Sequence, residues 1–534
     1  MCLIRNCFLS GFTYTIFLIV ILFFSVTFFN SSVTKAMDDD FLLAADQIID
    51  IYPQNESTES SFIFPPETLH EIREKVKNLT TNPDIPSIAV GVAIKGEIIW
   101  QEAFGYADLD NEIPATAYTK YSVASVTKPI TATGVLMLAD RGLVDLDEPI
   151  NRYLNETKIS GFAADADRAT VRRVLNHTSG LPLHYHFFYD DFPINPPPME
   201  ESIRRYGILT YQPGERYLYS NIGYGVLDHV IRSVSGKSYT SFLREEIFEP
   251  LGMQHSSVGM ASPEPEKYAV RYGNDLERLP FYDFDHRGAS AVFSSVHDLL
   301  RFGMFSLGNS EESSAEILSD SLRTAMHSKS SQTGMSQFSG YGLGWSITEH
   351  ESGLKEVWHS GGMAGVRTVL KLVPESDLVV VVLHNSNSSQ PLAIADEIVK
   401  MFHPEQYQTR PPSMVRQNEL NFNSLVGSWS GEIKTYSGER QLKMVVEENG
   451  DIDFQFEDSS PVPLARPYVD EFGFLRGIFF GELGTLDTSH KLYILYLNAR
   501  PEGERFYGSV TAISIGEDRE GFALSSFIEL EKEE

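Results

Sequence analysis

Residues 88–142 carry the arrangement that most limits how this chain folds. Residues 88–94 and 98–100 are apolar, β-rich runs, and Lys95-Gly96-Glu97 between them reads as a tight hairpin turn. Then comes Ser125-Val126-Thr127-Lys128, with Pro129 suited to a first helical turn and residues 130–139 apolar at helical spacing. Gly142 follows as a C-terminal stop. Ser125 therefore stands at a loop-to-helix junction, where backbone N–H groups lack helical partners. A Ser and a Lys three apart on a helix share one face. That puts an amine within reach of a hydroxyl, one way to make a poor nucleophile attack at neutral pH.

The tetrapeptide recurs, so context has to choose. Ser32-Val33-Thr34-Lys35 lies in the flank of a hydrophobic leader, and Ser352-Gly353-Leu354-Lys355 in a polar turn; neither has a helix behind it. Downstream of Ser125, Tyr219-Ser220-Asn221 offers a phenol and an amide, and His359-Ser360-Gly361 a strand-borne donor. Together these segments describe an acyl-transfer site with a serine nucleophile, in which the N–H of Ser125 itself can help hold a developing oxyanion.

The words around these segments resemble the penicillin-recognising serine hydrolases, in the branch of class C β-lactamases, D-alanyl-D-alanine carboxypeptidases and related esterases and peptidases. They run from about Pro86 to Met401. Among them are Tyr121-Ser122-Val123-Ala124, the stretch Leu175-Asn176-His177-Thr178-Ser179-Gly180-Leu181, and Gln212-Pro213-Gly214-Glu215. Gly288-Ala289-Ser290-Ala291, Tyr341-Gly342-Leu343-Gly344-Trp345 and His359-Ser360-Gly361-Gly362 follow in the same order. The resemblance implies Ser125 as the acylated nucleophile and Lys128 as its hydrogen-bonding amine. It implies Tyr219 as the tyrosine that passes a proton to the leaving group, with either Lys128 or Tyr219 as primary base. Asn221 would orient Lys128 and the substrate. His359, Ser360 and Gly361 would form the strand opposite the nucleophile, and the N–H of Gly362 would complete the oxyanion hole.

One position departs from the pattern. Many relatives that bind β-lactams carry Lys where this chain has His359. A lysine is a permanent cation for a substrate carboxylate, whereas a histidine is partly charged near neutral pH. The expectation is an esterase or peptidase with weaker or pH-dependent carboxylate recognition, rather than a dedicated β-lactamase. His177 reads as a loop hydrogen-bonder and Trp345 as a packed aromatic. His184 and His186 alternate, yet no third ligand sits at a metal-like spacing nearby, so they read as loop residues. No metal or cofactor is assigned.

Composition agrees with an exported hydrolase. The formal charge of −30 disfavours nucleic acid or an anionic membrane surface as a partner; a small molecule or peptide is the expected substrate. Residues 15–29 are almost wholly aliphatic and aromatic, a length between a signal-peptide core and a membrane span. The body is then exported and either secreted or tethered to the membrane. Cys2 and Cys7, the two cysteines of the chain, precede that run, so disulfides contribute nothing to the body.

The expected fold class is α/β (α+β): a β-lactamase/transpeptidase-like antiparallel sheet flanked by helices, plus a helical lobe carrying Tyr219, with a C-terminal all-β domain. The expected organisation is a leader at 1–36, a linker and first helix at 37–84 (the helix from Pro66 to Leu79), and a catalytic domain at 85–403. A linker at 404–422 and a lipocalin-like barrel or sandwich at 423–534 complete it. Function divides into a serine hydrolase acting on an amide or ester, a β-lactamase proper, and a non-catalytic scaffold.

Overall fold

The computed structural model describes residues 66–82, 84–191, 195–260, 267–309, 317–334, 338–388, 390–407, 425–457, 459–470, 472–515 and 521–533. The leader run at 15–29, both cysteines, Ser32 and most of the 404–422 linker lie outside them. No helix among the described residues is long and apolar enough to cross a membrane. The described residues from Glu74 onward belong to one compact unit.

The early hairpin forms as its turn chemistry dictates. Lys95 and Gly96 sit at φ +51° and +83°, the two positive values that a tight hairpin turn needs. They join Ser87–Ile94 to Glu97–Asp108. Ser87–Ile94 also pairs antiparallel with Leu378–His384, and the order continues through Val366–Val373, Lys355–Met363 and Ser346–Glu349. Pro374–Ser376 and a left-handed Asp377 turn the chain between Val366–Val373 and Leu378–His384. Ser87–Ile94 and Leu378–His384 are buried throughout, because the sheet is covered on both faces. The Val296–Leu307 helix lies on the face of Leu372 and Val379. Lys371, the next residue along, ion-pairs with Asp396 of the Gln390–Phe402 helix, and alternation along the strand puts that helix on the opposite face.

The helical lobe stands between the early hairpin and the later strands. Its longest helix, Asn221–Ser235, begins where the Ser220 hydroxyl accepts from the Gly223 N–H and ends at a left-handed Gly236.

The C-terminal region is all β. Strands run in space as Val462–Pro463, Ile452–Phe456, Gly438–Val446, Gly427–Thr435, Phe522–Lys532, Arg505–Ser514, Tyr493–Glu502, Leu475–Phe479 and Ala465–Val469. The first and last of these are consecutive in sequence, and the Leu464 N–H between them bonds the Ile452 carbonyl at 2.7 Å, so the sheet nearly closes into a barrel. Its core includes Trp429, Phe454, Phe479 and Phe506. Two strands of the helical lobe extend this sheet. Tyr185–Tyr189 pairs with Phe522–Lys532, and Tyr282–Phe284 pairs with Tyr185–Tyr189. Among the described residues the barrel sheet thus continues into the lobe.

Candidate active site

Ser125 lies in a short 3₁₀ turn, Ala124–Val126, that leads directly into the Thr127–Asp140 helix. Ala124 is held at φ +47°, a left-handed backbone that a non-glycine residue adopts only when its surroundings impose it. Those surroundings are the sheets. The Val123 N–H donates to the Val292 carbonyl at 3.0 Å, and the Thr368 hydroxyl donates to the Val123 carbonyl at 2.9 Å. Gly361 admits this approach: a Cβ there would run into the Val123 carbonyl oxygen and the Thr368 hydroxyl.

Lys128 is wholly buried. Its Nζ lies 3.1 Å from Ser125 Oγ, 2.8 Å from Asn221 Oδ1 and 3.1 Å from the Ala289 carbonyl oxygen. Burial alone holds its pKa well below the ordinary lysine value. A neutral amine suits the three neighbours: two N–H groups meet two carbonyl oxygens, and the lone pair is left to accept the Ser125 O–H. Tyr219 hydrogen-bonds Ser125 through its hydroxyl, yet burial raises its pKa above the ordinary phenol value, so it stands as a neutral donor. Lys128 Nζ is 4.7 Å from the centre of the Tyr219 ring.

His177 places that tyrosine. Its carbonyl accepts from the Leu218 N–H at 2.7 Å and its Nδ1 accepts from the Ser220 N–H at 3.1 Å, so it grips the chain on both sides of residue 219. The two rings are 4.5 Å apart. Burial, with Lys128 and His359 nearby, keeps the imidazole uncharged. Sequence reading assigns His177 loop hydrogen bonds; the structure gives them a specific address beside Tyr219.

His359 corrects an expectation. Its side chain is 4% exposed, and burial, with Lys128 nearby, lowers its pKa to about 3. Nδ1 lies 2.7 Å from the Ser360 carbonyl oxygen and must carry the proton; Nε2 then accepts the Tyr341 hydroxyl at 3.0 Å. The imidazole is neutral through the whole range near pH 7, so it offers neither a partial charge nor a pH-dependent grip on a carboxylate. Ser360 and Gly362 are exposed on the face of the strand opposite Gly361.

The Ala289 carbonyl, absent from the sequence reading as a site group, is positioned by a buried network. Helix Arg287–Ser290 follows Asp285-His286. Asp285 accepts from His184 Nε2 at 2.9 Å, His286 Nδ1 at 2.7 Å and the Ser202 hydroxyl at 3.0 Å. Burial pushes the Asp285 carboxyl up, but the two imidazoles outweigh it and hold the pKa well below the carboxylate range. His184 thus finds a third potential ligand that lies 101 residues away in sequence. The donor atoms of His184, Asp285 and His286 fall within 4.8 Å of one another, a set that a divalent cation can use. Here, however, the contacts are hydrogen bonds that satisfy the carboxylate, and an ion would have to displace two imidazole protons. His186 is not part of this group; its ring packs on Phe188 at 4.1 Å. Trp345 is fully buried and stacked over Phe302. The signal for His177, Ala289 and Tyr341 was present in the motif words that surround them; nothing marked Asp285.

Comparison with known proteins bears on the family and the fold. A family model described as Beta-lactamase matches residues 72–401. Penicillin-binding protein 4* of Bacillus subtilis (strain 168) is 26% identical over 361 residues, covering 62% of this chain and 77% of that protein. The octameric penicillin-binding protein homologue from Pyrococcus abyssi is 23% identical with a TM-score of 0.56, covering 86% of this chain and 100% of that one. SurE, solved with D-Leu, is 19% identical with a TM-score of 0.58, covering 86% of this chain and 99% of that one. These likenesses show a β-lactamase/transpeptidase-like fold, and the coverage of the last two extends beyond the span of the family model.

Proposed function

Since the chain belongs to the Beta-lactamase family, whose members are serine hydrolases, we propose that it hydrolyses an amide or ester through an acyl-enzyme on Ser125. The observation that carries this is the Lys128 amine, stripped of solvent and 3.1 Å from Ser125 Oγ. Ser125 Oγ attacks the carbonyl carbon as its proton passes to Lys128 Nζ. The N–H groups of Ser125 and Gly362 take the oxyanion. Tyr219 gives its proton to the leaving nitrogen or oxygen and recovers one from Lys128; water then repeats the sequence in reverse and frees the acyl group. Lys128 is the base and Tyr219 the donor in this scheme, because burial disfavours both the ammonium and the phenolate.

The substrate class we favour is a peptide or ester without a required carboxylate, as His359 replaces the cation of the β-lactam-binding relatives. The apolar run at 15–29 supports export of the enzyme body, secreted or anchored. The test is a short-chain ester assay on wild type and Ser125→Ala, with mass spectrometry after exposure to penicillin, a D-Ala-terminated peptide and the ester. The expected result is an adduct on the Ser125 peptide and a loss of at least ~10³-fold in the variant. Turnover that survives the substitution would exclude the mechanism, and a wild type that forms no adduct with any reagent would favour the scaffold reading. A penicillin adduct that hydrolyses fast would favour a β-lactamase proper.

A further inference from the structure

We infer, building on the Ser125 acyl-enzyme reading, that the C-terminal barrel is a positioning element of the catalytic centre, clamping the segment that delivers Tyr219 and the strand that delivers Ala289. The first arm grips residues 205–216. Asp487 of the barrel accepts from Arg205 at 2.9 Å and from the Tyr206 hydroxyl. The Tyr211 hydroxyl donates to the Asn498 carbonyl at 3.0 Å, and Glu215 ion-pairs with Arg500. Arg216, three residues before Tyr219, is buried with its guanidinium 4.1 Å from the Phe474 ring centre and 3.6 Å from Asp470. On its inner side the same stretch is zipped to the His177 loop: Thr210 N–H to the Gly180 carbonyl, Gly214 N–H to Thr178, Leu218 N–H to His177. Tyr219 therefore leaves a segment held from both sides.

The second arm is the shared sheet. Phe522 and Ala523 of the barrel pair with His186 and Tyr185, and Phe187, Phe188 and Tyr189 pair with Phe284, Asp283 and Tyr282. The Ser525 hydroxyl adds a bond to the Leu183 carbonyl at 2.8 Å. Five residues beyond Phe284 stands the carbonyl that accepts from Lys128. Backbone pairing across three strands is stiff, and about 1 Å of misplacement in a reacting group can cost roughly 10²-fold in rate. A barrel built only to stabilise the fold would not need to converge on these two segments.

The test uses the full chain with Tyr211→Phe and Arg500→Met, alone and combined, each in the wild-type and Tyr219→Phe backgrounds. Tyr211→Phe keeps the ring and removes the hydroxyl's bonds to Asn498 and Ser509 of the barrel; Arg500→Met removes the Glu215 ion pair together with the guanidinium's contacts to Tyr507 and Phe474, and Met keeps the length of the side chain. In the wild-type background the double variant should lower kcat by about tenfold with KM unchanged. In the Tyr219→Phe background it should lower kcat by less than about twofold, since coupled sites are non-additive. Hydrogen exchange of the Leu218 and Ser220 amides should accelerate, while exchange in the Thr127–Asp140 helix stays unchanged. An equal fall of kcat in both backgrounds would reduce the barrel to a structural role and overturn the proposal. Unchanged exchange at Leu218 and Ser220 would overturn it as well. The exchange arm needs no turnover, so a chain that never acylates Ser125 still decides the clamp.

Discussion

The nucleophile side and the tyrosine side of this centre are held by different means. Ser125 and Lys128 belong to one turn and the helix it opens, and contacts at the neighbouring Val123, from Gly361, Thr368 and Val292, set the approach of that turn to the sheets. Tyr219 arrives on an extended stretch whose fixed points are long-range: His177 within, the barrel without. The first side is local geometry and the second is assembled tertiary structure. Damage to the first should therefore act on chemistry at once, and damage to the second through the position of one hydroxyl.

The sharpest way to break that contrast is Lys128→Met, which keeps the length of the side chain and removes the amine. General-base catalysis contributes roughly 10²–10⁴-fold, so the acylation rate, read by stopped-flow with a chromogenic ester, should fall by about 10³-fold or more. Among the described residues no carboxylate pairs with this wholly buried amine, so the loss of its bonds to Asn221 and the Ala289 carbonyl is partly offset by relief of its desolvation, and the melting temperature should fall only modestly. A variant that acylates at the wild-type rate would remove Lys128 from the mechanism, and with it the local character of the nucleophile side.

Next in size is Gly361→Ala. Its Cβ would push against the Val123 carbonyl and the Thr368 hydroxyl, so the strand and the nucleophile turn must separate. We expect kcat/KM to fall by about 10²-fold with near-normal circular dichroism, as the displacement is confined to one edge. Wild-type kinetics would mean that the turn does not depend on the sheet for its shape.

The same division governs what the sequence made legible. The hairpin, the Pro66–Leu79 helix and the Ser125 to Lys128 pair are local, and residue type with spacing was enough to find them. In the barrel, alternation marks strands that keep one face free: in Ile452–Phe456, buried Ile452, Phe454 and Phe456 alternate with Asp453 and Gln455. Alternation fails in Arg505–Ser514 and Phe522–Lys532, which are buried on both faces along most of their length. Ser509, Thr511 and Ser525 occupy outward positions there with small hydroxyls, and Tyr507 and Phe527 pack against Ile208 of the lobe. Hydroxyls in place of charges on an outer face are the trace of docking, but they do not say against what. Asp285 was illegible for the same reason: its partners His184 and Ser202 come from 101 and 83 residues away, and no spacing rule spans that distance.

The finest probe of the contrast is the pH profile. Lys128 acts only when neutral, so kcat/KM should rise with pH through its folded pKa, which burial sets well below 10.5. His359, at about 3, is already neutral across that limb. His359→Gln should therefore leave the midpoint where it is, with a modest loss of rate as the Tyr341 hydroxyl bond is remade. His359→Lys should instead move the midpoint down, because a second cation beside the amine further disfavours the Lys128 ammonium, and should raise affinity for anionic acyl donors. A midpoint that shifts in His359→Gln as far as in His359→Lys would mean that the histidine titrates in the working range. The nucleophile side would then answer to a group on the neighbouring strand rather than to its own buried amine.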